Sequence, residues 1–236
     1  MSTRWRATAA LAAAACAAAL LAAGCGSLRQ IGAGSHSPPA TTFTITARVT
    51  AVVVNGGASS VTVTGGDRGT VLVSQRLSYT KTPPATSRRL VGTTLTLSYS
   101  CPAQLVCGVA YDVQVPAAVA VTVDTRAGAV TLTALAGPVS AQTYAGLITA
   151  VNLSSRTAGL RSDVGGIDAT FSAAPMSVSA ATNIGPIALT LPDSASYKVS
   201  AHTYVGSSTV TVAKSAASSH VITVSSDLGS ITISPA

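Results

Sequence analysis

Gly128-Ala129-Val130-Thr131-Leu132, Gly137-Pro138-Val139-Ser140-Ala141, Gly146-Leu147-Ile148-Thr149-Ala150, Gly165-Gly166-Ile167-Asp168-Ala169 and Gly185-Pro186-Ile187-Ala188-Leu189 repeat one short pattern, and Gly229-Ser230-Ile231-Thr232-Ile233 returns to it. Two residues after each glycine stands a β-branched apolar residue, and two further on another apolar one. Alternate residues of a strand share a face. The spacing therefore predicts core pairs Val130/Leu132, Val139/Ala141, Ile148/Ala150, Ile167/Ala169, Ile187/Leu189 and Ile231/Ile233. The glycines at 128, 146, 165, 185, 206 and 229 lie 18, 19, 20, 21 and 23 residues apart, and Gly137 falls halfway across the first interval. A period near 20 residues predicts an all-β fold, a parallel β-helix or β-solenoid with a glycine at each corner, where positive φ strains other residues. An antiparallel β-sandwich is the alternative. Gly206 departs from the pattern, because its strand reads as Val210-Thr211-Val212, shifted by two. Ala141, Ala150 and Ala169 suit a narrow interior, and Thr and Ser at the alternate positions suit a solvated outer face.

The same alternation begins earlier and less regularly. From Thr42, short runs such as Val52-Val53-Val54, Val61-Thr62-Val63-Thr64 and Val71-Leu72-Val73 are separated by Asn55-Gly56-Gly57 and by Gly65-Gly66-Asp67, which reads as a hairpin turn. Gly65-Gly66-Asp67-Arg68-Gly69 lacks the lysine and helix of a phosphate loop. Lys81–Arg89, with Pro83 and Pro84, is the most polar break and is expected to be an exposed loop with Arg88 and Arg89 in solvent. The division is thus 42–112 for N-terminal strands and 113–236 for the glycine ladder, together one all-β domain over 42–236.

The N-terminus carries a different signal. Arg4 and Arg6 precede an uncharged run from Ala9 to Ala23, which ends in Leu21-Ala22-Ala23-Gly24-Cys25. The run is short for a membrane span, which needs about 20 apolar residues. Its end resembles the lipobox of bacterial lipoproteins. That resemblance implies a signal peptide over 1–25, lipid on Cys25, and a protein held on the outer, extracytoplasmic face of the membrane by its acyl chains. Residues 26–41, rich in Gly, Ser and Pro and containing the lone His36, read as a tether.

Composition excludes several functions. Only 9% of residues are charged, all seven acidic residues are aspartates, and the formal charge is +7. Losing Arg4 and Arg6 with the leader reduces that to 7 − 2 = +5. The basic residues look scattered and none alternates with aromatics, so the chain is not read as binding nucleic acid. Cys101 and Cys107, in an exported chain, are expected to form a disulfide worth roughly 2 kcal/mol. Without neighbouring His or acidic residues they do not make a zinc site. His202 and His220 fall in different coils, Asp163 and Asp168 flank the Gly165-Gly166 turn, and no Gly-x-Ser-x-Gly elbow occurs. No catalytic residue, metal site or cofactor is assigned, and the chain is not read as an enzyme.

The stretch Val113–Pro235, entered through Tyr111-Asp112-Val113-Gln114-Val115-Pro116, resembles a bacterial family of unknown function labelled a candidate adhesin, whose members repeat Gly-x-Val-x-Val about every twenty residues. The resemblance implies a non-catalytic β-helical surface module that binds an envelope glycan or a protein. Pro138 and Pro186 stand where many relatives carry Asp, which removes an acidic metal-binding edge. The alternative is a structural or assembly component of the envelope, against which Pro235 would blunt end-to-end stacking.

Overall fold

The computed structural model describes residues 35–102 and 106–236. Cys25, the apolar run before it and residues 26–34 lie outside the described residues. The described chain forms nineteen strands: β1 (Thr41–Ile45), β2 (Ala51–Asn55), β3 (Val61–Gly66), β4 (Val71–Tyr79), β5 (Ala85–Val91), β6 (Thr94–Ser100), β7 (Cys107–Pro116), β8 (Ala120–Ala127), β9 (Val130–Thr133), β10 (Val139–Ala145), β11 (Ile148–Leu153), β12 (Thr157–Val164), β13 (Ile167–Phe171), β14 (Ser177–Ile184), β15 (Ile187–Leu191), β16 (Lys198–Val205), β17 (Ser208–Val210), β18 (Val221–Leu228) and β19 (Ile231–Pro235). Val, Ile and Thr, which pack well on a pleated surface, supply over two-fifths of their residues.

Two open, mixed sheets result. One has ten strands in the order β1-β4-β7-β3-β9-β11-β13-β15-β19-β17, the other nine in the order β16-β18-β14-β12-β10-β8-β2-β6-β5. The antiparallel pairs β1–β4, β4–β7 and β5–β6 gather at one end. All pairs within the glycine ladder are parallel, which departs from the antiparallel sandwich. From β8 to β19 the chain visits the two sheets in turn, one strand in each. All twelve predicted core residues are buried, in one cluster drawn from both sheets.

The glycines hold the winding together. At Gly165, φ is 143°, and a Cβ there would lie 2.1 Å from the Gly146 carbonyl oxygen. A Cβ at Gly185, with φ 147°, would meet the Gly165 carbonyl at 2.3 Å in the same way. Each corner therefore packs backbone on backbone, with no room for a side chain. Gly165 N–H donates to the Ile184 carbonyl at 2.8 Å, and Gly146 N–H to that of Val164 at 2.9 Å.

A second ladder, of hydroxyls, locks the same corners from inside. Three residues before each glycine stands Thr125, Thr143, Ser162, Thr182, Thr203 or Ser226. Ser162 Oγ donates to Gly146 O at 2.9 Å, Thr182 Oγ1 to Gly165 O at 2.9 Å, Ser226 Oγ to Gly185 O at 3.0 Å and Thr203 Oγ1 to Gly229 O at 2.8 Å. These residues continue the inward phase of their strands, so Ser and Thr also line the interior beside the corners. Thr125 is the exception among the buried hydroxyls of the ladder: its Oγ1 has no partner. Its neighbouring coil turns through the irregular Gly56–Ser60 connection instead of a glycine corner.

Several expectations are corrected. Gly137 does not join the glycine stack; it precedes β10 at the opposite turn, against the carbonyls of Ala118 and Val119. The strand after Gly206 is not shifted by two, since Ser208 pairs with Ile231 and Val210 with Ile233 in the ladder's own register. The coils also do not stack in chain order. β18 lies between β14 and β16, and β19 between β15 and β17, while β2-β3 is inserted between β6-β7 and β8-β9. Gly65–Asp67 is a crossover rather than a hairpin turn, because β7 separates β3 from β4. Ala85–Arg89 belongs to β5 and not to a loop; all seven residues of this edge strand are exposed, so it shows no apolar alternation.

Two pairs of substitutions test these constraints through denaturant midpoints at constant slope. Gly165→Ala should cost about 2–4 kcal/mol through strain and backbone collision, whereas Gly159→Ala, where a Cβ meets nothing within 4 Å, should change stability by less than about 0.5 kcal/mol. Ser162→Ala should cost about 1–2 kcal/mol by removing the donor to a glycine carbonyl, while Thr125→Val should be neutral or stabilise by up to about 1 kcal/mol, since its hydroxyl is buried without a partner.

Candidate functional site

The outward face of the nine-stranded sheet is a regular polar surface. Parallel register sets Thr122, Ser140, Gly159, Ser179, Thr223 and Ser200 in one row across the strands. A second row holds Asn55, Asp124, Gln142, Arg161, Ala181 and Ser225. Neighbouring strands are about 4.8 Å apart, so these groups form a regular lattice of donors and acceptors. Gly159 interrupts it: without a side chain it opens a shallow groove of about 240 Å³ between Ser140 and Ser179, bounded by Gln142, Arg161 and Ala181.

The groove has one ion-paired cation, and an exposed aromatic stands on the same face outside its lining. Arg161 Nη2 donates to Asp163 Oδ1 at 3.0 Å, which holds the guanidinium on the sheet surface. Both residues lie on the outward phase of β12. Two residues beyond Gln142 on β10, Tyr144 faces outward with 64% of its surface exposed. An exposed aromatic body beside Arg, Gln and Ser can stack on an apolar surface while the polar groups take hydrogen bonds. Next to this face runs an apolar ridge, formed by the residues before Gly165, Gly185, Gly206 and Gly229. Val164, Ile184, Leu228 and Val205 stand in register there, each roughly half exposed.

The residues singled out from sequence fall elsewhere. Cys101 and Cys107 are joined in a disulfide with Cα atoms 5.7 Å apart, beside the start of β7. Asp163 and Asp168 do not form a carboxylate pair, because β12 and β13 belong to different sheets. His202 is exposed on β16, in register with Ser225. His220 packs edge-on against Tyr197, with Nδ1 2.8 Å from the Pro175 carbonyl oxygen. His36 stacks on Tyr79 and exchanges two backbone hydrogen bonds with it. Burial, with Tyr99 nearby, pushes the Tyr111 hydroxyl up to about 12; it donates to the Ser98 carbonyl at 3.1 Å and bridges the two sheets. Burial, with Asp193 nearby, raises the Tyr197 hydroxyl as well. These two tyrosines are struts of the core.

Sequence reading missed Gln142, Tyr144, Gly159 and Arg161. The only local mark was Gly159 within an alternating strand, a place where a missing side chain either admits a neighbour or leaves a dent.

No family model matches the chain, and no curated protein matches it. Solved structures are similar at low identity. A protein described as a candidate cell adhesion protein from Clostridium sporogenes is 12% identical, with a TM-score of 0.44, over 84% of this chain and all of that one. A candidate adhesin from Bacteroides fragilis is 13% identical, with a TM-score of 0.46, over 84% of this chain and 97% of that one. Another, from Parabacteroides distasonis, is 10% identical with a TM-score of 0.36, over 84% and 97% of the two chains. Likenesses at this level identify no ligand.

Proposed function

We propose that the protein is a non-catalytic, adhesin-like binding module, a β-solenoid held at the outer face of the bacterial membrane by lipid on Cys25. In this reading residues 1–25 are the signal peptide, 26–41 the tether, whose last part from His36 on is already laid against β4 and into β1, and 42–236 the binding domain. The observation that carries it is the groove over Gly159. It is shallow, with polar and apolar groups lining it about equally, and it lies among rows of hydroxyls with one ion-paired cation and one exposed aromatic nearby. Such a surface suits an extended glycan or a polar protein segment, which meets many weak donors and acceptors at once, better than a small substrate needing enclosure.

Purified envelope polysaccharides and surface glycans, screened against the whole protein, should yield a binder. Gly159→Val, which fills the groove, and Tyr144→Ala should each weaken that binding about tenfold, roughly 1.4 kcal/mol, with unchanged folding. Full binding by both variants would remove the groove from the reading.

The alternative, a structural component of the envelope, is favoured by one feature. Pro235 does not blunt the end of the stack, because β19 lies inside β17; the outermost strands there are β16 and β17. Their unpaired backbone edges are templates for strand addition. Sedimentation of the protein over a hundredfold range of concentration distinguishes the two readings. A constant monomer supports the binding module, and reversible end-to-end growth supports the structural role.

A further inference from the structure

The charge of the described chain is divided along the stack. The segment holding β1–β7, residues 35–116, carries six cations, Arg48, Arg68, Arg76, Lys81, Arg88 and Arg89, against two aspartates, Asp67 and Asp112. The segment holding β8–β19, residues 117–236, carries five cations and five aspartates. The domain is therefore a neutral stack with one basic end at +4. Folding concentrates what the sequence scatters: β5, β6 and β2 close one end of the nine-stranded sheet, and β1, β4, β7 and β3 the same end of the ten-stranded one. All six cations are exposed. Arg88 also lies 4.6 Å from the centre of the Phe43 ring, which ties the edge strand β5 of one sheet to β1 of the other.

The chain enters the domain at this same end. Ser35 begins the described residues, and His36 pairs with Tyr79 on β4 through hydrogen bonds of 2.7 and 3.1 Å. Nine residues, 26–34, separate it from Cys25, a reach of at most about 32 Å. The spacings from β5 to β16 across the nine-stranded sheet, at about 4.8 Å each, place the β16–β17 end about 38 Å beyond the basic one. A short tether keeps the domain near the bilayer but leaves its orientation open. The charge decides it.

We infer that the β1–β7 end is a docking face for anionic phospholipid headgroups, so that the stack stands on the membrane with β16 and β17 at its outer tip. This rests on the proposed anchor at Cys25. A lipid and a cluster of cations act together, because the lipid holds the domain within the screening length over which each Lys or Arg is attracted to an anionic surface. The groove over Gly159 then lies on a side wall, clear of the bilayer.

The test uses the whole lipidated protein in phosphatidylcholine vesicles, with or without one-third phosphatidylglycerol and with an acceptor dye on the headgroups. A donor dye is placed on Ser87→Cys in β5 or on Ser207→Cys between β16 and β17. On anionic vesicles in low salt the donor at 87 should be quenched at least threefold more than the donor at 207. The difference should fall away on neutral vesicles, in 0.5 M salt and in Arg88→Glu/Arg89→Glu. Equal quenching of the two donors on anionic vesicles overturns the docking face while leaving the anchor intact. A chain washed from neutral vesicles by salt overturns the anchor, and docking is then read directly as salt-reversible binding to the anionic vesicles. Displacement from anionic vesicles by an equal charge of DNA or polyphosphate would assign the basic end to a soluble polyanion and overturn the membrane assignment.

Discussion

The approach of one glycine corner to the next is the constraint from which the rest follows. Parallel strands stacked about 4.8 Å apart must continue that spacing around each turn, where side chains would force the coils apart. At Gly165 and Gly185 the hypothetical Cβ falls within 2.3 Å of the neighbouring carbonyl. Backbone alone fits. The exposed peptide groups would be costly at a half-buried turn, and they are paired in both directions: glycine N–H groups donate to one neighbouring coil, and Ser or Thr hydroxyls donate to glycine carbonyls.

Once those corners are fixed, the faces on either side have little freedom. Register in both sheets carries the same strand position from coil to coil, so inward Val, Ile, Leu and Ala pile into a continuous core. Outward positions become rows. A row is useful for binding because a change at one coil leaves its neighbours in place: losing a side chain at Gly159 dents the surface without disturbing Ser140 or Ser179. The groove is thus a local variation on a regular lattice, which would limit the ordering entropy of any ligand bound there.

The glycine-led alternation made the core legible, because the residues two and four after a glycine occupy an inward phase whatever coil lies next door. The hydroxyl ladder uses the same phase but was hidden by residue type: Ser162 and Thr182 look like surface residues until the glycine carbonyl beneath them is seen. Coil order was hidden for another reason. Parallel strands of equal register are interchangeable in pattern, so nothing in β18 distinguishes β14 from β16 as a neighbour. β5 was unreadable as a strand because both its faces are exposed. The site was the least legible part, since Gln142, Arg161 and Ser179 come from three coils and share no sequence spacing with a chemical meaning.

The out-of-order coils also determine which edges the molecule presents. After β15 the chain skips one coil position and forms β16 and β17 two positions outward, then returns through residues 211–220 so that β18 and β19 fill the gap. Tyr197 stabilises that excursion: it is fully buried, its hydroxyl donates to the Pro192 carbonyl at 2.8 Å, and its backbone pairs with Ala213 and Ser215. β18 and β19 are consequently paired on both sides, while β16 and β17 have no partner until β18 and β19 are in place. The outer coil thus pairs only with residues that follow it in sequence. The opposite end is built on the same principle, with β2-β3 held between β6-β7 and β8-β9. Each end is therefore tied to the core by chain from both sides of it in sequence, and the two ends differ in the antiparallel pairs, the disulfide and the net positive charge carried at the β1–β7 end.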